Sequence, residues 1–424
     1  MSTPDASADS TRPATLAAPP ASGMALAVGI AGLAVAALGY FVSGAAAFAT
    51  AWLVGFTFWI GVALGVLFLV MMHHILDAGW SVLLRRQYEH WLSSFRVLAL
   101  LFLPLLAIAW LNPTLLWKWM DPAFNLAHAG GHGTVGEDVL WLKKSAFLNR
   151  NMFTVVSLAS LAIWIGLAEI FRRNSFSQDR DGEARWTISS RKWSAGGIPL
   201  AAITLTVCIV LWVKSLEYHW FSTMYGVWYF AGCVRSALSL GAILMIWLWH
   251  RGDFKGLLND NHLHSIGQLM LAFTAFWAYV TFSQYFLIWN ANLPEETFWY
   301  NIREAADWWW VGMTLVFGHF LVPFLVLIQY PVKLNKRLMP WISLFIAAVV
   351  LLDICYNVMP AARYPSGDPM PFLQPGLVWI AAAVVGMGGV CAWAYLRSFA
   401  TTKLIPIRDP RIAECLVYRQ PHAD

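Results

Sequence analysis

Apolar runs long enough to cross a membrane recur along almost the whole 424-residue chain, and nothing constrains its fold more. A bilayer core asks for about 20 apolar residues per helix, and backbone groups inside it must be satisfied within the segment. Runs meeting that requirement lie at 23–41, 46–72, 94–111, 152–170, 197–213, 227–249, 265–289, 309–330, 338–357 and 375–397. Their number predicts an all-α integral membrane protein of about ten transmembrane helices. With 59% hydrophobic and only 12% charged residues, too little polar surface remains to cover a water-soluble globule.

The domain reading follows from the same runs: 1–22 as a disordered cytoplasmic tail, 23–397 as the transmembrane domain, and 398–424 as a cytoplasmic C-terminal tail. The first stretch is rich in Ala, Pro, Ser and Thr with no apolar core, so it is not read as a secretory signal. Twenty of the 28 Lys and Arg residues fall on the side of both termini, seven on the other, and Arg235 inside a span. The positive-inside rule then places both termini in the cytoplasm. The bias accounts for the net charge of +5 and gives no reason to expect a nucleic-acid partner. Five cysteines in no paired spacing argue against covalent haem, zinc-ribbon or Fe–S ligation, and Cys208, Cys233, Cys355 and Cys391 read as packing residues inside spans.

Two loops on the predicted outer side stand out. The 111–150 segment carries Trp117, Trp119 and Trp141, suited to a membrane interface, around a Gly-rich centre that a partner subunit could order. The 290–310 segment reads as a short interfacial helix. Gly29, Gly32 and Ala36 in the first span, with Gly61 and Gly65 in the second, predict close helix approach.

Ionisable groups within spans are costly and mark function or helix register. Arg235 requires an acidic partner, for which Asp353 ranks ahead of Asp307 and Glu217, with Gln284, Tyr285 and Asn290 able to complete an outer polar pocket. His319 sits near mid-span, where it could relay protons or simply bond one neighbour. His73, His74 and Asp77 close the second span, followed by Arg85, Arg86 and Glu89 on what reads as an amphipathic segment. Arg85 and Arg86 read mainly as topological charges against lipid headgroups, and His73, His74 and Asp77 as a proton entrance. The proton-path candidates are therefore His73, His74, Asp77, Arg235, Gln284, Asp307, His319 and Asp353, with His264, Gln268 and Glu169 near the inner ends. No two span histidines are spaced to hold a haem, and His128 and His132 with Glu137 and Asp138 make a weak metal set.

The run HHILDAGWSVLLRRQYEHW at the end of the second of ten spans, with the aromatic outer loop and no cofactor motif, resembles the NrfD/PsrC-like membrane quinol proteins. It looks closest to the ActF subunits of alternative complex III, a quinol:cytochrome c oxidoreductase. That resemblance implies two four-helix bundles, spans two to five and six to nine, with spans one and ten flanking them. It implies a bacterial inner-membrane complex, respiratory or photosynthetic, with an ActC-like sibling, an Fe–S subunit, multihaem c-type cytochromes and bound lipids. It further implies no redox centre or covalent cofactor in this chain, but possible contact with menaquinone or ubiquinone and possible proton conduction. The length and short outer loops favour ActF over ActC. Two readings of other classes stay open: a secondary transporter, for which Pro104 and Pro323 are the mid-span prolines, and a purely structural anchor.

Overall fold

The computed structural model describes residues 21–129, 132–362, 369–400 and 402–419, so most of the predicted 1–22 tail lies outside the described residues. It contains ten helices long and apolar enough to span a membrane: α1 Ala21–Val42, α2 Ala45–Ile75, α3 Gly79–Leu111, α4 Arg150–Asp181, α5 Ala184–Trp212, α6 Tyr225–Arg251, α7 Asp260–Ala291, α8 Trp308–Leu327, α9 Met339–Ala361 and α10 Gly376–Ser398. The protein is thus an all-α, multi-pass membrane protein. Helices α2 to α5 close one four-helix ring and α6 to α9 a second, with α2 packed on α6 at their junction. The first and last helices lie against each other on the flank of α2 and α3.

Local chemistry explains this order of burial. Helix α2 is apolar all round and is enclosed along most of its length, as such a helix must be. Its small residues set the approach: a Cβ at Gly65 would collide with the Cys233 carbonyl, and one at Gly61 would lie 2.9 Å from the Tyr229 hydroxyl. Tyr229 then donates to the Thr57 carbonyl at 2.6 Å, tying α6 to α2. In the same way Gly29 and Gly32 meet Val390 and Gly386, so α1 and α10 touch through their backbones. The four span cysteines are buried packing residues.

Several boundaries differ from the hydropathy reading. The third span starts at Gly79 rather than 94, and it runs as Val82–Trp91, Ser94–Leu101 and Leu103–Leu111. Pro104, lacking an N–H and crowding the preceding turn, accompanies the last break. Helices α4 and α5 continue through 171–196 as a hairpin closed by Gly182 at φ 73°, a left-handed position that glycine takes without strain. Polar residues hid these turns from a hydropathy window. Trp117 and Trp119 are buried inside the protein, and the Trp117 indole donates to the Trp212 carbonyl at 3.0 Å. The 290–310 segment does form its short helix, Pro294–Glu304.

The segment Val82–Trp91 departs most from expectation. It is buried on every face, so Arg85 and Arg86 do not contact lipid headgroups. Arg86 pairs with Asp179 at 2.8 Å and lies 3.7 Å from Glu89, while Arg85 pairs with Asp409 and lies 3.4 Å from Glu89. Ser175 donates to Glu89 as well. Residues 402–419 run back beneath this foot, where Arg411 binds Asp77 at 2.9 Å and Cys415 is buried against Trp80. We call this face the basic end, and the face bearing 112–149 and 292–307 the loop end.

Candidate functional site

Bundle two contains a pocket of about 700 Å3. Helices α7 and α8 pack closely over Leu315–Leu327, whereas Trp308–Thr314 packs instead on α9 and on Pro294–Glu304. The resulting gap has α6 and α9 as its floor. Its mouth carries the exposed side chains Tyr279, Phe282 and Val316, so it opens toward the lipid-facing side. Most of the lining is aromatic or aliphatic, with Asp353, Asn357, Arg303, Glu304 and Gln284 as its main polar points. A largely apolar cavity of this size with few converging polar groups has the character of a small-molecule site.

Asp353 is the centre of those polar points. Its Oδ2 accepts from the indoles of Trp228 on α6 at 2.9 Å and Trp277 on α7 at 3.0 Å, and Oδ1 accepts from Asn357 at 3.2 Å. Asn357 in turn accepts from the Tyr225 hydroxyl at 3.1 Å. A helical spacing of four puts Asp353 and Asn357 on one face of α9. On the far side, a crevice of about 10 Å3, close to one water in size, brings Asp353 beside Gly61, Tyr229 and Ser236.

His319 stands 3.6 Å from Asp353 and stacks flat on Trp277, with ring centroids 3.7 Å apart. It lies in Leu315–Leu321, which winds as a π-helix, a wider coil that often marks functional positions. Pro323 has no N–H to offer the His319 carbonyl four residues earlier, and that carbonyl accepts from Arg235 Nη2 at 2.8 Å. Arg235 Nη1 is bonded to His319 Nδ1. Asp353, ranked first from sequence as the acidic partner of Arg235, is the carboxylate whose charge acts on it. The two make no direct ion pair among the described residues, and His319 stands between them.

The other sequence candidates divide clearly. Gln284 lines the pocket, accepting from Ser222 at 2.7 Å and donating to Tyr300 at 3.2 Å, and Tyr285 lines it too, whereas Asn290 does not. Asp307 does not line the pocket: its carboxylate accepts the backbone N–H groups of Phe372 and Leu373 at 2.9 and 2.8 Å, anchoring the loop before α10. His73, His74 and Asp77 belong to bundle one. His73 stacks on Tyr88, His74 stacks on Phe171 3.8 Å from Glu89, and Asp77 is bound by Arg191 and Arg411. His264 packs against Tyr330 in bundle two, while Glu169 pairs with Arg96 and Arg172 on α4. Of the weak metal set, Glu137 closes a capping box with Thr134, and Asp138 is taken by Tyr218, His219 and the Leu140 N–H.

Sequence reasoning missed Arg303, Trp228, Trp277, Tyr225 and Asn357. Arg303 is buried and donates to the backbone carbonyls of Trp299, Tyr356 and Asn357 at 2.9 to 3.1 Å, fixing the pocket's loop-end rim to the end of α9. The spacing of Asp353 and Asn357 was the one available signal for the set. Two clusters thus exist, and α6 lies between them. Toward the basic end from Arg235 it carries Ser236 and Ser239, whose buried hydroxyls have no hydrogen-bond partner among the described residues, and Tyr88 donates to its Ala237 carbonyl at 3.0 Å before stacking on His73.

The chain matches no model of a known protein family and no curated protein.

Proposed function

We propose that this protein is a membrane subunit of a quinol:electron-acceptor oxidoreductase of the alternative complex III kind, with no redox centre of its own. In this reading its second bundle receives a quinone or quinol and its polar groups carry protons. The observation that supports it most is the pocket between α7 and α8: open to the lipid-facing side, lined by aromatic rings, and polar mainly at Asp353, Asn357, Gln284, Arg303 and Glu304. A lipid-soluble molecule with a flat polar head fits that division, since its tail can remain among apolar side chains while its oxygens meet the floor.

A quinol bound there supplies two electrons and two protons on oxidation. The electrons require an acceptor outside this chain, which is the place of the Fe–S subunit and the c-type haems. Asp353 and Glu304 are the carboxylates lining the pocket; Asp353, at its floor, is the base of this reading, and His319 and the water-sized crevice are its routes away from it. Arg235 keeps the His319 ring fixed through both the ring and the carbonyl. The buried hydroxyls of Ser236 and Ser239, then Tyr88 and His73, extend polar character toward the basic end. With that end in the cytoplasm, the pocket lies in the half of the membrane nearer the outer acceptors.

The test is purification from native membranes followed by photolabelling with an azido-quinone. Labelling of α7 and α8 peptides, co-migration with Fe–S and multihaem c-type proteins, and quinol oxidation lowered at least about tenfold by Asp353→Asn are expected. Solute uptake by the chain alone, or labelling that never reaches α7 and α8, would overturn the proposal.

A further inference from the structure

The loop end is poor in basic residues, yet three lysines gather there around one pocket. A cavity of about 310 Å3 at the end of bundle one is lined by Lys143, Lys144, Phe147, Val210, Lys214 and Tyr218. Lys144 and Lys214 both lie over the Phe221 ring, with their Nζ atoms 3.9 and 5.5 Å from its centroid. Lys144 donates to the Tyr218 carbonyl at 2.6 Å, and among the described residues Lys214 makes neither an ion pair nor a hydrogen bond.

Asp138 offsets this pair only in part. Asp138 is the carboxylate that acts on Lys144, but it already accepts from the Tyr218 hydroxyl at 2.6 Å, His219 Nε2 at 2.5 Å and the Leu140 N–H at 2.9 Å. Burial works against its ionised form, yet those hydrogen bonds hold its pKa below the usual carboxylate range. Burial first, and the charge of Lys144 second, push the Lys214 pKa down to about 8. Two ammonium groups are thus held together where each raises the cost of the other.

Topology gives no reason for such a cluster, since lysines at this end work against the positive-inside bias. The surroundings indicate a ligand at the membrane surface instead. Val210 lies two turns from the exposed Ile203 on α5, so an apolar face runs from the lysines toward the bilayer interior.

We propose that this pocket binds a phosphate group, supplied by the headgroup of an anionic phospholipid or by free inorganic phosphate. Lysine binds phosphate as a compact point charge, so two or three of them around a small cavity select charge rather than a planar shape. Because the bound form requires protonated lysine, affinity falls as pH rises above about 8.

The full chain is purified in detergent, and retention of phosphatidylglycerol against phosphatidylcholine is measured by native mass spectrometry, with a parallel titration of inorganic phosphate. Expected is a preference for phosphatidylglycerol that drops about fivefold in Lys214→Gln. Lys214→Arg keeps the preference and extends it past pH 9, because arginine does not deprotonate there. Displacement of the lipid by millimolar phosphate identifies soluble phosphate as the source, and its failure to displace identifies the lipid. The proposal is overturned if neither ligand binds, or if Lys214→Gln and the wild type retain phosphatidylglycerol equally while the arginine variant behaves as both.

Discussion

At the residue scale, the two polar clusters are built on different logic. Asp353 is held by donors that carry no charge, two indoles and an amide, with the charge of Arg235 acting on it from beyond His319. Trp277→Phe keeps the ring stacked on His319 but deletes one donor. Loss of a hydrogen bond to a carboxylate costs roughly 1.5–3 kcal/mol, to be read as a lowered unfolding temperature, with quinone photolabelling weakened but present. An unchanged variant in both assays would show that the Trp277 indole is idle. At the foot the logic is ionic. Arg86→Met leaves Asp179 and Glu89 short of a cation in a buried setting, where removing one partner costs about 3–5 kcal/mol. Adding Asp179→Leu should recover much of that stability; equal unfolding temperatures for the single and double variants would mean that the pair is not coupled. Residue identity alone made Asp353, His319 and Arg235 legible, because charge in an apolar run is conspicuous. It could not show that His319 separates the other two, since that depends on the local winding of α8.

At the element scale, that winding is a single inserted feature. Leu315–Leu321 takes a π-turn, and Pro323 follows it. Removing one residue, such as Phe317, should restore an ordinary helix and rotate every preceding residue by about 100° relative to those that follow. The expected result is a folded protein, by unchanged helical circular dichroism, in which His319 leaves Trp277 and photolabelling is lost. Retained labelling would mean that the π-turn has no part in forming the pocket. Hydropathy found all ten spans but shortened α3, α4 and α5, for one shared reason. Their ends are polar and pack against one another: Arg86 and Glu89 on α3 meet Asp179 and Ser175 on α4, and Arg191 on α5 reaches Asp77. A window that scores apolar character reads such mutually satisfied helix ends as loop. The C-terminal segment was read only as a tail for the same reason, since only its partners, Arg85 for Asp409 and Asp77 for Arg411, give it a packed place.

At the scale of the whole molecule, orientation decides whether the proposed pocket faces the right acceptors. The basic count must now be weighed without Arg85 and Arg86, which are spent inside the protein. The bias survives their removal, because exposed Arg173, Arg185, Arg191, Lys192, Arg337 and Arg408 remain on the same end. The five cysteines are all buried and free, so the native chain should be silent to a membrane-impermeant maleimide. A cysteine introduced at exposed Lys192 in the α4–α5 hairpin, or at exposed Ala123 in the loop-end segment, then reports its own side. With the basic end in the cytoplasm, Lys192→Cys labels only in inverted vesicles and Ala123→Cys only in right-side-out vesicles. Both variants leave the foot and the pocket intact, so activity and topology can be read from one preparation. The reverse pattern would put the pocket in the cytoplasmic half, away from outer Fe–S and haem partners, and the quinol-oxidising role would then fail even if quinone binding were found.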